Sequence, residues 1–304
     1  MKELPGPATL RMLLGRRMRH HREKHGMDRV QADRLLHTRG ISCTDLELGA
    51  TRGSPRNLMH LCDLYAITDL RERMRLLLLG RLAAADTWWE ESFNDVIPDG
   101  LGLYLGLEQE AADAIWMFTP HLPDLLRSRE DAREAFSRRG HPVHETDRRL
   151  DLLARRQERL RSGHLSLAVI LSEQALSGDR RTVFRLTEHL EDWCNSGTVT
   201  IQIWPALQPS PAPIILCSPK QPDLPDAISS RGGLVGDSGT GSLNHSLTDF
   251  QQPLPDIVYL SDRRTYLDGP AVADSYGELL TTLALQAAPA KCTPMRLREI
   301  RRNL

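Results

Sequence analysis

Aromatic residues are scarce, at 5% of the chain, although apolar residues as a whole reach 40% of its 304 positions. A large β-sandwich core is therefore a poor fit, and a helix-rich fold a good one. The cysteines are few and odd in number: Cys43, Cys62, Cys194, Cys217 and Cys292. No two lie close together and none has a histidine at zinc spacing, which argues against a disulfide framework and against a metal site. They read as small hydrophobes of a reducing cytoplasm. Long apolar runs are missing too. The longest, Leu76 to Leu79, is one helical turn, against the roughly 20 residues that a membrane helix needs. The opening MKELPGPATLRMLLGRR sets its charges after the apolar residues and offers no cleavage site, so it is not read as a secretory signal. No cofactor motif and no internal repeat is legible.

What is present is an uneven distribution of charge. Residues 1–85 hold 16 Lys/Arg against 9 Asp/Glu, and the remainder 23 against 31, within a net charge of −1. A basic head on an acidic body suggests that the first 85 residues meet an anion. In that head, Leu10, Leu13, Leu14 and Met18 recur at helical spacing among arginines over residues 10–25, and Gly26 ends the run. Short helices are expected over 29–36 and 39–48, followed by a turn with Gly49, Gly53 and Pro55. Ser54 can cap a fourth helix carrying Leu58, Leu61, Leu64 and Tyr65. The TDLRE pattern starts a fifth near Thr68.

Beyond Thr87 the organisation changes. The spacing from Tyr104 to Ala135 predicts helix, interrupted at Pro120 and Pro123, and residues 145–162 form a charged helix with Leu150, Leu153 and Leu160 on one side. Runs rich in β-branched residues predict strands over 165–171, 198–204, 212–217 and 256–260, with a helix between the first two. Residues 219–255, rich in Pro, Gly, Ser and Asp, read as a long flexible insertion. Helices are expected again over 271–287 and 294–303. The expected class is mainly α with an α+β C-terminal domain: a five-helix bundle over 1–85, then helices and a small mixed or antiparallel sheet over 86–304.

The stretches LGRRMRHHREKHGM, LLHTRGISCTDLELG and SPRNLMHLCDLYAITDLRER occur in order in the head. Behind them come WWEESFNDVIPDGLGLYLGLEQEA, IWMFTPHLPDLLRSREDAREAF, RRLDLLARRQERL, LAVILSEQAL, VTIQIWPA and IVYLSDRRTYLD. Nearly end to end, this resembles the Xre-type (Cro- and phage-repressor-like) helix-turn-helix regulators with an antitoxin-like C-terminal effector domain of poorly defined function. The insertion at 219–255 has no counterpart in that pattern. The resemblance implies a homodimer that binds DNA with its second short helix in the major groove. It keeps Leu36, Cys43, Leu46 and Glu47 as scaffold. It places Arg39, Ser42 and Thr44 near bases and Arg16, Arg19 and Arg29 near phosphates. The contact surface departs from the pattern. Asp33 takes the place of a small Ala that lets the helices approach, His37 that of a turn glycine, Gly40 that of a base-reading side chain, and Asp45 that of a cation.

Two further readings concern chemistry. Trp88, Trp89, Tyr104, Trp116 and Phe118 concentrate the aromatic stock in one span, either as a hydrophobic core or as a pocket for a flat ligand. Glu108, Glu110, His121 and Glu173 are the candidate polar anchors. They also support an alternative in which DNA reading is lost and the scaffold performs a cofactor-free cyclisation or condensation on a small metabolite of secondary metabolism, with these four as acid/base groups. GDSGTGS at 236–242 lacks the lysine and the preceding strand of a phosphate loop and reads as a linker. The expected partners are DNA, a small-molecule effector or substrate, or a small partner protein, with no membrane.

Overall fold

The computed structural model describes residues 5–36, 42–205, 211–219, 254 and 256–304. The sequence readings at His37, Arg39, Gly40 and 236–242, and nearly all of the insertion, lie outside that set. Internal contacts divide the chain into two compact units. The first includes the described residues up to Glu91 together with Gly100–Ala111; the second includes Ser92–Asp99, Ala112–Ser218 and Pro255–Leu304.

The first unit is helical: α1 (Pro7–Lys24), α2 (Arg29–Leu36), α3 (Cys43–Leu48), α4 (Pro55–Leu64) and α5 (Leu70–Ala83). Proline at the first helical position and leucines on one side start α1, and Leu10, Leu13, Leu14 and Met18 are buried. The Ser54 and Asp69 side chains accept the first free N–H groups of α4 and α5. Gly49 ends α3 in the left-handed region at φ 77°, and a Cβ there would lie 2.7 Å from the Met12 nitrogen. At Gly15 a Cβ would lie 2.3 Å from the Leu46 carbonyl. Two glycines thus let the backbones of α1 and α3 touch. After α6 (Trp88–Phe93), the short α7 (Gly102–Gly106) runs into a π-helical turn, Leu107–Ala111.

The second unit is built on a mixed sheet of six strands in the order β3-β2-β1-β4-β5-β6. Strands β1 (Ala112–Thr119), β2 (Ser166–Ser172) and β3 (Val199–Trp204) run parallel. Their crossovers carry α8 (Arg129–Arg138) and α9 (Val143–Arg161), then α10 (Arg180–Asn195). Strands β4 (Ile214–Pro219), β5 (Ile257–Leu260) and β6 (Thr265–Asp268) pair antiparallel. One face carries Phe118, Ile170, Trp204 and Val258 against Leu280 and Leu283 of α11 (Pro270–Gln286). Gln202 donates to the carbonyls of Ala284 and Ala288 at 2.9 and 3.2 Å, tying β3 to that helix and the residues after it. Thr293, at the start of α12 (Thr293–Arg302), donates to the Ile201 carbonyl at 2.6 Å.

The chain therefore has the expected class, mainly helical with a small mixed sheet in its C-terminal half. Two strands differ from the sequence reading. Residues 112–119, expected as helix, form the strand paired with β2, and 265–268 form a strand at the sheet's edge. A strand covered on both faces loses the two-residue alternation that marks a half-exposed one, so DAIWMF carries no clear period.

Candidate functional site

The helix-turn-helix segment is organised by one carboxylate. Glu47, buried on α3, accepts from Arg22 of α1 at 2.5 and 3.0 Å and from Arg29 of α2 at 3.0 Å. The Cys43 thiol donates to it at 3.1 Å, and Arg22 also reaches the Met27 carbonyl at 2.6 Å. Two arginines on one buried carboxylate, Arg22 through a two-bond fork and Arg29 through its Nε, tie three helices together, since the Arg22 and Glu47 charges would each be costly to bury alone. The same pairing raises the Arg22 guanidinium above its ordinary value. Burial pushes the Cys43 thiol up to about 12, against the hydrogen bond from Tyr65. Cys43 is therefore an inert core thiol.

Asp33 has a structural task at its position. Its neighbour Ala32 is fully buried. Asp33 instead accepts from the Cys43 backbone N–H at 2.6 Å and from the Thr44 hydroxyl at 3.4 Å, at the start of α3. Ser42 accepts from the Asp45 N–H at 3.1 Å as N-cap. Both hydroxyls assigned near bases thus hold internal bonds, and Asp45 presents an exposed carboxylate. Of the cations assigned to phosphates, Arg16 is half-buried, Arg19 pairs with Glu23 at 2.7 Å, and Arg29 keeps 30% of its side chain exposed beside Glu47.

A second ion pair braces the other side of α1. Arg17 donates to Glu72 of α5 at 2.6 and 3.0 Å, and His21 lies 3.0 Å from the same carboxylate. Burial pushes Glu72 up, but His21 and Arg17 outweigh it and hold the carboxyl at about 2. Beside them is a cleft of about 300 Å³, lined by His21, Lys24, His25, Tyr65, Asp69 and Glu72 among others.

The aromatic and acid/base candidates are divided between the units. Trp89 and Tyr104 are buried in the first, with the Trp88 ring 5.4 Å from that of Trp89 in an edge-on arrangement. Phe118 is buried in the second against Trp204, with Trp116 packed on the same core. In the π-helical turn, Glu108 is fully buried and accepts from Gln109 at 2.8 Å. Glu110 accepts from the Ala8 and Thr9 N–H groups at 2.8 and 3.1 Å. Burial raises its carboxyl above the usual value against those two donors. His121 is exposed just beyond β1, and Glu173 pairs with Arg296 at 2.6 Å just beyond β2.

The register Thr119↔Leu171 puts His121 and Glu173 at the same carboxyl edge of the parallel strands. Trp204 ends β3 opposite Ser172, its buried indole N–H without a partner among the described residues. The chain leaves β1 toward β2 and β3 and returns to β4 on the other side. In open α/β sheets such a reversal opens a crevice at the carboxyl ends. Sequence reasoning missed Arg22, Arg17 and Glu72, and the acceptor role of Asp33, because their partners are long-range and no local spacing marks them. Trp204 was visible as the end of a strand, but not as a donor. Among the described residues no group of three or more His, Cys, Asp or Glu could hold a metal ion, and no helix is long and apolar enough to cross a membrane.

The family described as a domain of unknown function (DUF5753) matches residues 101–219. No curated protein and no solved structure matches the chain.

Proposed function

We propose that this chain is an antitoxin-like transcription regulator of the Xre helix-turn-helix type, cytoplasmic and dimeric. In this reading its basic N-terminal unit binds DNA, and its C-terminal domain receives an effector or a small partner protein. The observation that carries it is the α1–α2–α3 assembly locked on Glu47, with Asp33 and Ser42 capping α3, inside the basic part of the chain. Rigid presentation of a short helix is what groove binding requires. The match over residues 101–219 supports the second half, since the resemblance pairs such a helix-turn-helix with a domain of undefined function.

With Ser42 and Thr44 bonded internally and Asp45 exposed, attachment rests chiefly on the arginines and is salt-sensitive. The effector site in this reading is the carboxyl edge of β1–β3, where the strands leading to His121 and Glu173 and the strand ending in Trp204 finish. A mobility-shift titration on DNA from upstream of its own gene tests the first half. A low-salt complex that its own unlabelled sequence displaces better than a shuffled competitor is the expected result. Equal loss to both competitors, or no complex, removes the regulator reading.

A further inference from the structure

The matched domain begins at residue 101, yet Gly100–Ala111 belongs to the first unit and the strand that follows to the second. Within that segment Glu110 does a specific job. Helix α1 starts after Gly6, which has no side chain to accept the free N–H groups of the first turn. Glu110, about a hundred residues along the chain, supplies the acceptor to Ala8 and Thr9. A negative charge is also favoured at a helix N-terminus. The fit is close. A Cβ on Gly6 would lie 2.4 Å from the Glu110 carboxylate, and one on Gly106 would lie 2.8 Å from the Ala8 Cβ.

We propose that Gly100–Ala111 is a control lever: it couples the state of the C-terminal domain to helix α1 through the hold of Glu110 on the Ala8 and Thr9 N–H groups. This deepens the regulator reading and rests on it for its biological meaning. Ala111 alone separates Glu110 from the first residue of β1. A one-residue slide along a strand is about 3.3 Å, enough to take a carboxylate out of hydrogen-bonding reach of both donors. The segment also has a second state available. A π-helical turn carries one residue more than an α-helical turn, so a return to α geometry re-aims the side chains beyond it, and such turns recur at functional positions. Helix α1 passes the change on, since Arg22 holds Glu47 of α3 and Gly15 lets α3 touch it.

Amide exchange on the full chain, followed at Ala8 and Thr9, tests the lever. Met117, buried in β1 of the second unit, is changed to Ala to loosen the strand. Exchange at Ala8 and Thr9 is expected to rise about fivefold, the equivalent of a lost cap worth roughly 1 kcal/mol, while Leu58–Cys62 of α4 stay protected. Glu110→Ala gives the same rise, and adding Met117→Ala to it gives no further one. Glu110→Gln keeps an acceptor oxygen and falls between. If β1 loosens while Ala8 and Thr9 do not respond, or if the two effects multiply, the lever is refuted. Ile115→Val serves as a milder probe should Met117→Ala fail to fold. The readout needs no DNA, so the two ideas separate. Coupled exchange in a protein that ignores DNA removes the regulator alone, and specific DNA binding with uncoupled exchange removes the lever alone.

Discussion

Glu47 and Glu72 are two acids with the same structural task on opposite sides of α1, and each can be tested by removing its charge. Changing Glu47 to Ala leaves the buried Arg22 guanidinium only the longer contact with the exposed Glu23 at 3.5 Å, a loss of about 3 kcal/mol for a broken buried pair. Urea unfolding followed by helical circular dichroism should show the first unit melting earlier by that amount. A change below 1 kcal/mol would mean that Glu47 is not the organising residue. Glu72 has a different signature. Its folded carboxyl sits at about 2, below the ordinary value of 4.5, so its stabilisation is complete above 4.5 and is lost as pH falls toward 2. The groups facing it are Arg17, His21 and Arg75, with Lys24, His25 and Asp69 around the cleft. Between pH 5 and 2 the native chain should lose about 3 kcal/mol more than Glu72→Gln; parallel curves would contradict the assignment. At this scale the scaffold positions Leu36, Cys43, Leu46 and Glu47 were legible, because they keep the spacing of the helix-turn-helix regulators that the chain resembles. The partners of the acids were not, since 25 residues separate Arg22 from Glu47 and 55 separate Arg17 from Glu72.

Among the elements, α1 decides the geometry of the first unit, and Gly15 shows how. Alanine is the better helix former by about 1 kcal/mol, so Gly15→Ala would stabilise an isolated α1. In the fold its Cβ would meet the Leu46 carbonyl at 2.3 Å, a backbone atom that cannot swing aside. The clash should win, leaving a net loss of roughly 2 kcal/mol. Thermal unfolding of the full chain checks it, and an unchanged or higher midpoint would show that α1 and α3 can separate cheaply. The helices were readable because their caps are local: Ser54 and Asp69 stand immediately before the helices they start. The acceptor role of Asp33 was not readable, because it runs from α2 to the start of α3, ten residues on. Strand β1 was misread for a different reason. It lies between β2 and β4, and its apolar residues serve two faces, so no single-face pattern survives in the sequence.

For the whole molecule, the decisive property is the division of charge between a cationic head and an anionic remainder. Net charge near neutrality conceals it, yet phosphates respond to local charge within about 10 Å at ordinary ionic strength. Each arginine on a phosphate releases counterions and steepens the dependence of log affinity on log salt by about 0.9. If, as proposed, Arg16, Arg19 and Arg29 sit on phosphates, the slope should be roughly −3, measured by fluorescence anisotropy on labelled duplex from 50 to 200 mM salt. The double change Arg16→Ala, Arg19→Ala should reduce its magnitude by about 2, equally on specific and shuffled duplexes. Because Glu47 already occupies Arg29, Arg29→Ala should cost stability as well as slope. A slope unmoved by the double change would take α1 off the DNA. A slope that falls on the specific duplex alone would mean that these arginines read sequence, and the assignment of α1 to the phosphates would have to be replaced.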